Sequence, residues 1–308
     1  MMRVLGTVFA GLLGLAFGSF LNVCLSRWPR GESVVKPRSH CRTCDRTLAW
    51  WENVPLLSWL ALRGRCRTCG TWIGGRYPLV ELAVGALWGY VASGQYPGVP
   101  GDSIPASILP FLLASVLAGR LLTMIFLWLL VALAILDAEH LWLPDFLTLP
   151  SIAIGVVIAF LDSFLAVKLD SLTGLLLTEG TEGMWFDMWS PGLVRLASAL
   201  AAAGLVLLIR WVYWLIRRRE GMGLGDAKLM ALLGAWLGLP QALLAFGLGV
   251  VLGALVALVL LLLPARESEG DGWAVRKLPL GTFLCIGGIV SSLWGQPILG
   301  AYLRWSGF

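Results

Sequence analysis

The 308-residue chain is 58% hydrophobic and only 13% charged, with a formal net charge of +5. Average soluble domains carry roughly 25% charged residues, so this composition excludes a water-soluble globular protein with a polar shell. Apolar segments of bilayer length, nominally about 20 residues, recur along nearly the whole chain, and the expected fold is an all-α polytopic membrane protein of about eight transmembrane helices.

Residues 4–25 form the first expected span. Arg3 ahead of an apolar stretch has the look of a cleaved signal peptide, but no A-x-A site follows. A lipoprotein site fails too, because Cys24 is preceded by bulky Val23, and the segment reads as a retained anchor. Of 23 Lys and Arg, ten lie between Ser26 and Pro78. The positive-inside rule places that loop in the cytoplasm and the N-terminus outside. Further spans are expected at 78–93, 106–137, 143–161, 191–216, 225–239, 240–263 and 278–303. The third, at 32 residues, exceeds one crossing and reads as a kinked or tilted helix, or as a re-entrant turn plus a helix. An odd number of crossings there puts both Arg217–Arg219 and Arg276–Lys277 on the cytoplasmic side. Residues 162–190 are expected as an outer loop with an interfacial stretch around "LTGLLL", and 264–277 as a flexible cytoplasmic connection. Most of the 16 tryptophans are expected as interfacial anchors. No internal repeat is evident.

Within the first loop, "SHCRTCDRTLAWWENVPLLSWLALRGRCRTCG" holds two C-x2-C pairs, Cys41 with Cys44 and Cys66 with Cys69. Two such knuckles supply four thiolates to one tetrahedral Zn2+, a closed and therefore structural site. A loop of this size has few core candidates and needs such a staple. Its cytoplasmic side argues against disulfides, and no βαβ pattern supports a redox motif. The arginines are accounted for by topology and by anionic lipid, so no nucleic-acid partner is expected. Cys24 and Cys285 read as buried thiols within spans, and His40 as a plain loop residue beside Cys41.

Asp137 ends the third span in "LAILDAEHLWLPD", and Asp226 opens the sixth in "GMGLGDAKLM". By the topology above, both lie on the cytoplasmic side. Ionisable residues at span edges are costly and mark functional sites by default, although Asp226 alone is also a good helix cap. Two carboxylates brought together do not both ionise cheaply, which yields an acid and a base from one residue type. Gly221, Gly223 and Gly225 leave the backbone before Asp226 bare, permitting positive φ or a docked extended peptide. The chain offers no G-x-S-x-G elbow and no H-E-x-x-H. If it is a hydrolase, the aspartates carry the chemistry.

These motifs, "GMGLGDAKLMALLGAWLG", "DAEHLWLPDFLTLP" and the four-cysteine loop, flanked by "GSFLNVCLSRWPRGES" and "RYPLVEL", closely resemble the type IV prepilin peptidase family. That family comprises bifunctional leader peptidases and N-methyltransferases of pilus and type II secretion systems. The resemblance runs from Gly18 to about Gly238. G-x-G-D alone is shared with presenilin-type intramembrane proteases, and the cysteine loop selects this branch.

The resemblance implies that Asp137 and Asp226 are an aspartyl dyad, with Asp145 of "LPD" and Lys228 in supporting roles. It implies a prepilin or pseudopilin substrate with a basic leader, cut after a glycine at the cytoplasmic face of the bacterial inner membrane. The new N-terminal residue, usually phenylalanine, is then N-methylated with S-adenosylmethionine. No Rossmann fingerprint is present, so a methyl-donor site is expected near the zinc loop, with Glu32, Gly64 and Glu81 as candidates. The expected domains are 1–25 as first helix, 26–78 as cytoplasmic zinc-binding loop and 79–308 as transmembrane peptidase. A competing reading is a transporter using paired aspartates for proton or cation coupling; it predicts midplane carboxylates and paired broken helices.

Overall fold

The computed structural model describes residues 2–94, 109–173, 184–218, 223–262 and 278–307. Gly221, Arg219, Arg276, Lys277 and the connection 264–277 lie outside the described residues. Lipid offers backbone groups no hydrogen-bond partners, so a chain of this hydropathy closes its bonds within helices. Among the described residues every regular element is helical: α1 Met2–Arg27, α2 Leu57–Ala61, α3 Arg76–Ala92, α4 Leu109–His140, α5 Asp145–Thr173, α6 Met184–Arg217, α7 Leu224–Leu237, α8 Leu239–Leu262 and α9 Leu280–Ser306.

A helix stands at each expected span, but not every one has the length and apolarity of a full crossing. Among the described residues six helices are long and apolar enough to cross a membrane. α3 has 17 residues and α7 has 14, and α7 reaches only about 21 Å at 1.5 Å per residue. The third span resolves as one helix continuing to His140, with no re-entrant turn between Leu109 and His140. The expected outer loop at 162–190 is shorter than anticipated, because α5 continues to Thr173 and α6 begins at Met184; residues 174–183, with most of "LTGLLL", lie outside the described residues.

The chain divides into two compact units, Met1–Ala132 and Leu133–Phe308. In the first, α1 packs along α3. A Cβ on Gly14 would stand 2.9 Å from the Gly85 Cα, and one on Gly18 would stand 2.7 Å from the Glu81 Cα. These glycines let two backbones approach as small residues do in membrane helix pairs. Trp88 Nε1 donates to the Met124 carbonyl at 3.0 Å and Trp128 Nε1 to the Phe17 carbonyl at 3.1 Å, fastening α4 to the pair. Trp236 likewise donates to Ser151 at 2.8 Å in the second unit. These three of the 16 tryptophans therefore serve as internal struts.

In the second unit α7 packs against α5, α6, α8 and α9. Ala227, Leu229, Met230, Leu232, Leu233, Gly234 and Ala235 are all buried, as befits a helix apolar on every side. Its neighbours are mostly protein, which explains why it is short. α4 ends where Leu141 adopts a left-handed conformation at φ 51°, four residues beyond Asp137. Pro144 then accepts the Leu147 and Thr148 N–H groups at 3.1 Å each and starts α5 at Asp145.

Candidate active site and metal centre

The second unit brings both predicted aspartates into one electrostatic neighbourhood. Asp137 lies one turn from the end of α4 and is buried at 6% exposure. Asp226 lies in the first turn of α7 and is half-buried. The Asp137 charge acts on Asp226, and both act on the buried Cys285 of α9. The Asp226 side chain also turns back toward the Gly223 backbone at the helix start, where it caps α7.

Sequence reading missed what holds Asp137. Thr282, at the start of α9, donates its backbone N–H to Asp137 Oδ2 at 2.7 Å. Its hydroxyl lies 3.2 Å from the same oxygen and 3.0 Å from the Ala134 carbonyl. With one proton and two acceptors, that hydroxyl bridges the last turns of α4 to α9. Oδ1 of Asp137 accepts no hydrogen bond among the described residues. Gly281 supplies the space: a Cβ there would stand 2.8 Å from Oδ2. The only sequence signal was a Gly-Thr pair opening the last span, which carries no ionisable group.

Asp145 and Lys228 pair with each other, apart from Asp137 and Asp226. Lys228 Nζ pairs with Asp145 Oδ1 at 2.5 Å, with the Asp145 side chain 59% exposed, tying the start of α5 to the start of α7. Lys228 is thus the partner of Asp145 and neither bonds to Asp137 or Asp226. Gly225 is not open clearance, because its missing side chain is filled by Leu143, 3.1 Å from a would-be Cβ. Around Gly223 nothing approaches a would-be Cβ closer than 3.8 Å. Neither glycine takes a positive φ, Gly223 being extended at φ −75°.

In the first unit the ligand sulfurs of Cys41, Cys44, Cys66 and Cys69 all lie within 4.8 Å of one another. Cys41 and Cys69 Sγ are 3.7 Å apart, close to the ~3.8 Å tetrahedral edge that Zn–S bonds of about 2.3 Å generate. The two knuckles fold alike. Asp45 N–H donates to Cys41 and Gly70 N–H to Cys66, each at 2.9 Å, and Asp45 and Gly70 both take positive φ. C-R-T-C at 41–44 and 66–69 is a local repeat that the sequence reading passed over. Backbone N–H groups of Cys69 and Thr68 bring the Cys66 thiol down to about 6, toward the thiolate form that binds metal. His40 instead faces the Arg38 carbonyl at 3.1 Å.

The same unit holds a cavity of about 340 Å³ lined by Glu32, Glu81, Asn22, Trp59, Trp72 and Tyr77, among others. Two of the three residues expected near a methyl donor therefore meet. Gly64 does not line the cavity; at φ +65° it sits under Trp59 and Trp72, each 2.8 Å from a would-be Cβ. It shapes the wall, and the two rings cross edge-on at 5.8 Å.

Comparison with known proteins is consistent with this geometry. The bacterial peptidase A24 N-terminal domain matches residues 12–94 and the type IV leader peptidase family matches residues 124–258. The chain is similar to the prepilin leader peptidase/N-methyltransferase of Stutzerimonas stutzeri, 33% identical with 96% of this chain and 93% of that protein covered. The protein of the same name from Pseudomonas aeruginosa is 32% identical over 96% and 93%. That of Burkholderia pseudomallei is 35% identical over 94% and 85%. No solved structure matches the chain.

Proposed function

The chain belongs to the type IV leader peptidase family, and from that membership we propose that it is a membrane-embedded aspartyl endopeptidase that cleaves prepilins or pseudopilins after a glycine and N-methylates the new N-terminus. The observation that carries the peptidase half is the placement of Asp137 and Asp226 at helix ends of one compact unit, with Asp137 oriented from α9 by Thr282. One ionised carboxylate takes a proton from water as the water attacks the scissile carbonyl. Its protonated partner hydrogen-bonds to that carbonyl, and the leaving amine is protonated as the intermediate collapses. Which aspartate holds the proton is a property of the pair. The unpartnered Oδ1 of Asp137 is the oxygen available to water or substrate. The substrate's apolar segment packs between spans, which sets its glycine junction at the dyad.

For methyl transfer, the cavity of the first unit fits S-adenosylmethionine: its volume lies in the range of small-molecule sites, its wall carries two indoles, and its glutamates and arginines offer partners to the donor's cationic groups and to its carboxylate. Trp59, Trp72 and Glu32 would hold the donor, which supplies the methyl group when bound. The four-cysteine centre takes Zn2+ as a structural staple beneath that wall. The enzyme is an inner-membrane, multi-pass protein with the zinc loop and the dyad facing the cytoplasm. The purified chain, incubated with a prepilin-type substrate and methyl donor, yields by mass spectrometry a product cut after glycine and carrying one added methyl group. An uncut substrate would refute the peptidase reading, and a cut but unmethylated one the transferase reading.

A further inference from the structure

We infer that the cavity of the first unit contains an alkylammonium subsite, built from Glu81, Asn22 and Ser19, that receives the free N-terminal amine of the cleaved pilin segment. The inference rests on the methyl-transfer reading above and adds where the methyl acceptor sits.

The first observation is a buried carboxylate with no ion pair among the described residues. Glu81 on α3 is 7% exposed. Its Oε2 accepts the Leu56 N–H at 2.7 Å, and the Ser19 hydroxyl lies against the carboxylate. The described ion pairs are Arg46 with Glu52, His140 with Glu139 and Lys228 with Asp145, and none reaches Glu81. Burying a carboxylate without a partner is costly, and a cationic ligand removes that cost.

A second, independent observation lies on α1. Asn22 is 2% exposed, and its Nδ2 donates to the Tyr77 carbonyl at 2.9 Å. That bond fixes the amide's orientation, because only the nitrogen end donates. Oδ1 is left with no hydrogen-bond partner, an exception that calls for a reason in a native protein. A carboxylate, an amide oxygen and a hydroxyl form an acceptor set for the three N–H groups of a primary ammonium. Of the five arginines that share the lining, Arg27 donates to the Ser33 and Pro37 carbonyls, Arg42 to the Ser26 carbonyl and Arg46 to Glu52, and Arg67 lies over the Trp51 ring; Arg30 is the fifth. None of these bonds reaches Glu81 or Asn22.

Placement within the fold separates acceptor from donor. Ser19 and Asn22 sit in the last turns of α1 and Glu81 in the second turn of α3, whereas Glu32, Trp59 and Trp72 belong to the loop wall. An amine that begins an apolar segment arrives along the helices, and a water-soluble donor enters past the loop.

The test is calorimetric binding to the full chain in detergent, with three probes: a short apolar peptide beginning with phenylalanine, its N-acetylated form, and S-adenosylhomocysteine. On the native chain, acetylation is expected to weaken peptide binding about tenfold or more, as loss of a buried charge pair does. This comparison needs no variant. Glu81→Gln and Asn22→Leu, checked for folding by gel filtration and thermal midpoint, are expected to erase the discrimination and leave S-adenosylhomocysteine affinity within about twofold. Equal binding of the two peptides to the native chain overturns the subsite. So does a Glu81→Gln variant that loses S-adenosylhomocysteine and keeps the peptide discrimination, which would give the ammonium site to the donor. If the native chain neither binds S-adenosylhomocysteine nor methylates a cleaved product, the underlying methyl-transfer reading fails first.

Discussion

Gly281 gives a measure of how tightly the dyad is held. An alanine Cβ there would stand 2.8 Å from Asp137 Oδ2, 2.9 Å from Cγ and 3.2 Å from Oδ1. Non-bonded contacts settle at about 3.4 Å or beyond, so the carboxylate must retreat by roughly 0.6 Å. The Thr282 N–H bond, now 2.7 Å, then lengthens past the ~3.2 Å limit of a good N–H···O bond. Hydrogen bonds to charged groups contribute about 1.5–3 kcal/mol, which corresponds to roughly 10- to 150-fold in rate. The loss should appear in kcat of prepilin cleavage in detergent or lipid, with KM little changed, because the perturbation reorients a reacting group. Gly247→Ala is the control, having no atom within 4 Å of its would-be Cβ. Both substitutions add about 0.8–1 kcal/mol of helix propensity, so unfolding is not the expected route. A Gly281→Ala enzyme with kcat within about twofold of the native value would refute the positioning role of α9.

Three further expectations follow from the geometry. The purified chain should carry one zinc per molecule by metal analysis, and Cys66→Ser should lower both zinc content and the thermal midpoint; a metal-free native chain of undiminished stability would contradict the staple. Arg46, donating to Glu52 at 2.6 Å, holds the Glu52 carboxyl below the usual carboxylate range. Its stabilisation is therefore complete above the unfolded value of about 4.3 and fades as pH falls through the lower folded value. Thermal midpoints of native and Glu52→Gln chains, measured from neutral pH downward, should differ at neutral pH and converge in acid, and a constant difference would contradict this. The Lys228–Asp145 pair is half-exposed to exposed, so a double-mutant cycle with Lys228→Met and Asp145→Asn should give a coupling of about 1 kcal/mol or less; several kcal/mol would imply burial in the working enzyme.

What the sequence made legible was whatever follows from local composition. Hydropathy located a helix at every expected span, and cysteine spacing located the four-thiol cluster. Carboxylates stood out because membranes rarely tolerate them. Hydropathy did not set α7 apart from the longer spans, because its short length and its packing between helices are tertiary properties. The roles of Trp88, Trp128 and Trp236, three of the 16 tryptophans, were not legible because they donate to carbonyls distant in sequence. Thr282 and Asn22 carry no charge, and their importance rests on partners 145 and 55 residues away. Gly225 shows the same limit: its clearance belongs to Leu143, which no motif indicated.

The central claim is the dyad, and side-by-side cleavage assays of Asp137→Asn, Asp226→Asn and Asp145→Asn on a prepilin-type substrate test it most directly. Asparagine keeps the shape and removes the acid. The account predicts that the first two variants, folded by gel filtration and thermal midpoint, abolish cleavage while Asp145→Asn only slows it. Near-native cleavage by either Asp137→Asn or Asp226→Asn would contradict it.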